Sequence, residues 1–211
     1  MHTISADELA VRATVTLAAR ATPADLDRAT PCSEWNLGDL LAHMTAQHRG
    51  FAAAAAGHGA DPAVWHTTDN PLAEYAEAAD QVIAAFALDG VLDRGFVLPE
   101  IAADRPIPGR LAIGFHLVDY VVHGWDVARA LDLPFTLPDH VLAAALPIAR
   151  AVPDGAARLA PGAAFAPSLP VPIGGEPLTE IITLLGRSPD WPTASIKTVM
   201  ATNSTTSFPD A

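Results

Sequence analysis

The stretch Arg110-Leu-Ala-Ile-Gly-Phe-His116-Leu-Val-Asp119-Tyr-Val-Val-His123-Gly-Trp-Asp126-Val-Ala-Arg129-Ala-Leu131 decides how this chain reads. Its core-facing positions are apolar except at His116, Asp119 and His123, and Leu133-Pro134 closes it, because proline cannot continue a helix. The spacing predicts one long helix from about Arg110 to Leu131. Steps of three, four and seven residues then place His116, Asp119 and His123 on one face, within reach of a single metal ion or small polar ligand.

On either side of this helix the punctuation predicts further helices. Ser5-Ala-Asp-Glu8 has the form of a capping box ahead of Leu9, Val11, Ala13 and Leu17, predicting a helix from about residue 6 to about 21 that Thr22-Pro23 ends. Asn36, with Asp39 in the first turn, opens a second helix through Leu37, Leu40, Leu41, Met44 and Phe51 as far as Gly57. Asn70-Pro71 opens a third through Leu72, Ala76, Ala79, Val82, Ile83 and Phe86 to about Leu88. A loop with room for short extended pieces leads from there to Arg110. Residues 138–152 are again helical in pattern, while 153–177 is rich in Pro, Gly and Ala and predicts a surface wrap. Pro177 to Leu185 reads as a short last helix with Gly186 as its C-terminal cap.

No alternation of apolar and polar residues is long enough for a sheet. The expected fold is therefore all-α: an antiparallel four-helix bundle with short additional C-terminal helices, in which ligand sites are built from side chains on facing helices. Residues 1–190 are expected to form this one domain. Residues 191–211, rich in Ser, Thr, Asn and Pro toward the end, are expected to be a weakly ordered tail.

Bulk properties narrow the function classes. A net charge of −12, a single lysine and the absence of a basic run exclude nucleic acid and anionic membrane surfaces as natural partners. Half the residues are hydrophobic, yet no apolar run approaches the ~20 residues of a membrane span, and the N-terminus lacks the form of a secretory signal. Cys32 is the only cysteine, so no internal disulfide forms, as suits a reducing cytosol. The expectation is a cytoplasmic protein with a small-molecule substrate; its Ala-rich faces leave a homodimer open.

How specific is the histidine pattern? With 24 acidic residues and 8 histidines in 211 positions, an acidic-x-x-x-His pair arises by chance about once, 24 × 8/211. Adding His116 at the right offset lowers that to roughly 0.03. A ligand from a second helix is still needed, and His43 is the candidate: Leu40, Leu41 and Met44 mark a buried stripe beside it, and Gln47 shares its face one turn later. Two imidazoles and a carboxylate from two helices match an open metal site that leaves a position for water or substrate. The same groups could instead satisfy one another in a bundle core without an ion. Elsewhere, Cys32 is expected to pack in its loop, Trp35 and Trp125 to wall the bundle near the site, and Asp126 to pair with an arginine such as Arg129. His48, His58, His66 and His140 are expected at the surface.

Two of these segments carry a resemblance. Thr30-Pro-Cys-Ser-Glu-Trp-Asn-Leu-Gly-Asp-Leu-Leu-Ala-His43 and Val118-Asp-Tyr-Val-Val-His-Gly-Trp-Asp-Val-Ala-Arg129 resemble the signature stretches of the DinB-like, mycothiol-dependent maleylpyruvate isomerase N-terminal domain family of actinobacterial metal-binding proteins. Pro177-Leu-Thr-Glu-Ile-Ile-Thr-Leu-Leu-Gly-Arg187 resembles that family's closing helix. The resemblance implies a divalent ion, zinc foremost, on His43, Asp119 and His123, with Asp119 where the isomerase itself carries Glu. It also implies mycothiol as co-substrate, whose thiolate adds to an electrophilic carbon to give an S-conjugate or an isomerised product. His116 then supports the ligands or, with Gln47, handles a proton or orients substrate as a catalytic group. The isomerase's additional C-terminal domain has no counterpart in the sequence, so maleylpyruvate isomerisation itself is not the expected reaction. The expected function is a metal-dependent thiol transferase or isomerase acting on a small electrophilic metabolite. The alternatives are a metal-free bundle enzyme or small-molecule-binding protein using the same pocket, and a non-catalytic interaction protein.

Overall fold

A computed structural model describes residues 3–32, 35–160, 163–171 and 173–192. Helix α1 (Thr3–Ala18) starts upstream of its expected cap. Ser5 and Glu8 lie inside the helix rather than boxing its end: Glu8 accepts from Arg12 Nε at 2.9 Å one turn on, and Asp7 turns into the core. The reason is tertiary, since Asp7 meets His116 of a distant helix.

Helix α2 (Leu37–Ala55) begins as its sequence dictates. Asn36 Oδ1 accepts from the Asp39 N–H at 2.8 Å, and Asp39 Oδ2 accepts from the Asn36 N–H at 3.1 Å, so two amide donors left over by the helix start are satisfied reciprocally. This box sets where the helix that carries His43 begins. Helix α3 (Pro71–Phe86) has Pro71 in its first turn, where a missing N–H costs nothing, and Asn70 makes no side-chain cap.

The extended pieces expected before the fourth long helix form a small antiparallel hairpin. Strand β1 (Gly95–Leu98) pairs with β2 (Ala103–Pro108) in the register Gly95↔Pro108 and Phe96↔Ile107, with the single turn α4 (Pro99–Ala102) at its tip. Phe96, Leu98 and Ile107 are buried with Phe51, Val82 and Phe86, so the hairpin plugs one end of the helical core. The long helix α5 (Gly109–Ala130) follows, then α6 (Asp139–Ala151) and α7 (Pro177–Leu184).

Among the described residues the fold is all-α apart from the hairpin. Helix α1 packs on α5 and α3, and α2 packs on α3 and α5, so the four long helices enclose a common core; α6 covers α1 and α5 and carries α7. Leu37, Leu40, Leu41, Met44, Leu117, Val121 and Val122 are completely buried there, each contributing about 1.5–3 kcal/mol by leaving water. Gly124 permits the close approach beside His123. A Cβ at that position would lie 2.7 Å from Phe135 Cζ and 3.0 Å from Thr14 Cγ2, so only a glycine lets α5 sit this near α1. Among the described residues no helix is long and apolar enough to cross a membrane. The expected tail, from residue 193 onward, lies outside the described residues.

Candidate metal centre

His43 reaches the core from α2, two turns past the Asn36 cap, and meets Asp119 and His123, one turn apart on α5. One ligand atom from each of the three lies within 4.8 Å of the others. The closest measured pair, His123 Nε2 and Asp119 Oδ1, is separated by 3.4 Å. Ligand atoms about 2.0–2.1 Å from a tetrahedrally held zinc are roughly 3.4 Å apart, so this spacing fits a shared ion. The donor set, two imidazole nitrogens and a carboxylate, also suits a borderline divalent cation with one coordination position left open. His123 is buried, whereas His43 and Asp119 are part-exposed, so the open side faces outward. Trp35 covers the flank, with its ring 4.5 Å from His43 and 6.2 Å from His123 between centroids.

Electrostatics divides the three ligands. Burial, reinforced by the nearby His123 charge and only partly opposed by Asp119, pushes His43 down to about 4; near neutral pH it is an imidazole with a free lone pair. Burial works against ionising Asp119, but the charge of His123 and its contact, followed by His43, outweigh it and hold the carboxyl at about 2. Burial also opposes a charge on His123, yet Asp119, then the hydrogen bonds to Asp119, Asp126 and Cys32, carry it well above the usual histidine range. His123 is therefore an imidazolium whose Nε2 proton sits beside Asp119, where a cation would sit.

Asp126 lies behind His123. It is completely buried, and its Oδ2 accepts from His123 Nδ1 at 3.0 Å, from Arg187 Nη2 at 3.2 Å and from Cys32 Sγ at 3.2 Å. The expected Arg129 partner is replaced by Arg187, because Arg129 turns to the Trp191 carbonyl and to the face of Trp125. Cys32 is likewise part of a polar cluster rather than loop packing alone: its sulfur is 2.9 Å from Arg187 Nη2. Asp126 could have been found in the sequence, three residues past His123. Arg187, 61 residues further on, carried no local signal.

Of the two roles expected for His116, support or catalysis, its surroundings leave room only for support. His116 is completely buried, with Nδ1 2.7 Å from Asp7 Oδ1 and Nε2 3.3 Å from His48 Nδ1, so both ring nitrogens are used inside the core. Neither is left for an ion or a substrate proton. His48 is corrected with it: this residue is buried and stacked on Tyr120 at 4.1 Å, not at the surface. Gln47, one turn past His43 on α2, is buried and donates through Nε2 to Glu100 Oε2 of α4 at 3.3 Å.

Residues 8–128 match the family described as mycothiol maleylpyruvate isomerase N-terminal domain. That is more than half of the chain. The protein belongs to this family. Two uncharacterized proteins of Mycobacterium tuberculosis, Rv0738 of strain H37Rv and MT0763 of strain CDC 1551, are each 30% identical over 188 residues, covering 89% of this chain and 99% of theirs. No solved structure matches. Membership gives the chain a mycothiol-related, metal-binding theme, and the cluster of His43, Asp119 and His123 falls within the matched family segment. Arg187 lies beyond it.

Proposed function

We propose that the protein is a metal-dependent enzyme that activates a small thiol, mycothiol by family, for attack on an electrophilic metabolite, as a thiol transferase or isomerase. The observation that carries this reading is the convergence of His43, Asp119 and His123 on one point with an open outward side. A divalent ion held there, zinc foremost, would act as a Lewis acid that lowers the pKa of a thiol in its open position toward neutrality.

The protein's own residues do the rest. His43, neutral by burial, offers a lone pair without first losing a proton. Asp119, kept ionised, supplies the negative charge that balances the cation. Trp35 shields one flank from water and offers an aromatic wall to the bound thiol. Gln47, one turn past His43 on the same helix, is assigned to orienting the electrophile through its amide, which Glu100 holds in place. His116 anchors α1 and α2 to α5 through Asp7 and His48 and so keeps Asp119 and His123 in register.

A second reading uses the same pocket without an ion, and one observation favours it: the His123 imidazolium is already paired with Asp119 on one side and Asp126 on the other. Elemental analysis separates the two. Protein purified without tags or chelators should contain about one divalent ion per chain, lost in His43→Ala and His123→Ala, and should consume mycothiol with a panel of electrophiles only when loaded. Protein that holds no metal, and whose melting temperature does not respond to added zinc, would sink the metal reading and leave the metal-free one.

A further inference from the structure

The Asp126 cluster is more extensively built than a helix staple requires. A single carboxylate oxygen receives His123 Nδ1, Cys32 Sγ and the Arg187 guanidinium, through Nη2 at 3.2 Å and Nε at 3.4 Å. Asp126 is fully buried and Arg187 is only 5% exposed, a costly arrangement for two charges unless each is well partnered. The guanidinium is held from its other sides as well: Nη1 donates to the Leu185 carbonyl at 2.9 Å, and the group lies 5.7 Å over the Phe165 ring. Arg187 can reach inward because α7 ends in a left-handed turn. Gly186 has φ +82°, and the Arg187 N–H returns to the Ile182 carbonyl at 2.8 Å. A Cβ on Gly186 would lie 2.7 Å from Ala166 Cβ, so the turn admits no side chain.

The consequence falls on His123. An imidazole that donates Nδ1–H to a fixed carboxylate has its ring plane and tautomer set, and its Nε2 must be the coordinating atom. Here Nε2 is the atom that faces Asp119.

We propose that Asp126, clamped by Arg187 of the closing segment, is the positioning residue of the metal centre: it orients His123 so that Nε2 points at the site shared with His43 and Asp119. This rests on the metal reading above and adds that the centre is completed by a residue outside the family-matched segment. A cluster that only ties α7 to α5 would affect folding and leave the affinity of the folded protein for metal untouched.

The test compares the full chain with Asp126→Asn, Asp126→Glu and Arg187→Gln. Circular dichroism of each apoprotein establishes that it is folded. Cobalt(II) affinity is then measured by competition with a chromophoric chelator, together with the visible absorption of the bound ion. Wild type should bind one cobalt. Asp126→Asn should bind it about 10–100-fold more weakly with an altered visible band, and Asp126→Glu, which keeps the charge, should recover most of the loss. Arg187→Gln separates orientation from field. Removing a cation near the site would tighten cobalt binding if charge alone mattered, whereas loss of the clamp weakens it and broadens the band. Folded Asp126→Asn with wild-type affinity and spectrum, or tighter binding in Arg187→Gln, would overturn the positioning role while leaving the metal reading intact. Wild type that binds no cobalt overturns both. Should Asp126→Asn fail to fold, Arg187→Gln still decides the matter by the sign of its affinity change.

Discussion

Helix α5 carries two histidine clusters built from the same residue types, and their geometry differs. At His123, donor atoms from His43, Asp119 and His123 converge on a point that is open on one side. At His116, seven residues earlier, Asp7 meets one ring nitrogen of His116 and His48 the other, entirely within the core. Convergence with an open side makes a site, whereas a closed chain makes a strut. His48 Nε2 is left buried with no hydrogen-bond partner among the described residues. Residue type does not separate the two clusters; exposure and the direction of the donor atoms do.

The largest expected contrast is in metal affinity. His123→Ala should weaken zinc binding about a thousandfold or more, beyond the 10–100-fold typical of an outer partner, while His116→Ala should retain one ion per chain; equilibrium dialysis with elemental analysis reads both. An equal loss in His116→Ala would erase the distinction. Stability should show the reverse order. His116→Ala strands the Asp7 carboxylate in the core and should cost about 3–5 kcal/mol in denaturant unfolding, whereas apo His123→Ala, which leaves Asp126 paired with Arg187, should cost clearly less.

Proton linkage sharpens the comparison further. Burial, then the charge of His116, keeps the His48 pKa well below the ordinary histidine value, and His43 is held at about 4. Below pH about 6.5 the unfolded chain takes up protons that these folded imidazoles refuse. The share of apoprotein stability due to His43 and His48 should therefore fall as pH drops from about 6.5 toward 4, whereas the raised His123 adds stability that is full below about 6.5 and declines as pH rises above it. His43→Ala should keep the share due to His48 and lose its own, which urea titrations across that range would show. At the open cluster, zinc uptake near pH 7 should release about one proton, displaced from His123 Nε2. Calorimetry in two buffers of different ionisation enthalpy measures it, and no buffer dependence would contradict a protonated His123. The smallest effect belongs to Gln47: Gln47→Ala should raise KM for the electrophile several-fold, leave metal content unchanged and move stability by about 1 kcal/mol at most.

Much of the architecture was legible from local chemistry. The Asn36 and Asp39 box, Pro71 in the first turn of α3 and Gly186 after α7 mark helix ends because caps are satisfied by residues two to four positions away. The grouping of His43, Asp119 and His123 was equally legible, two by helical spacing and one by the buried stripe of Leu40, Leu41 and Met44 beside it. The Ser5 to Glu8 pattern misled because a capping box and a helix interior share a spelling, and the pull of His116 on Asp7 decides between them. The hairpin at 95–108 has too few residues for alternation to register. His48 looked like a surface residue because its partners, His116 and Tyr120, are on another helix.

By itself, then, the sequence determined what depends on near neighbours: where the helices start and stop, that the fold is helical, and which side chains on α2 and α5 could share an ion. Only the tertiary structure decided which of the two histidines on α5 borders the part-exposed His43 and Asp119, that Asp126 rather than His116 stands behind His123, and that Arg187 returns to hold it. The physical reason is distance along the chain. Caps and helical spacing are written within a turn or two, whereas the charge on a buried group is set by whatever the rest of the fold brings against it.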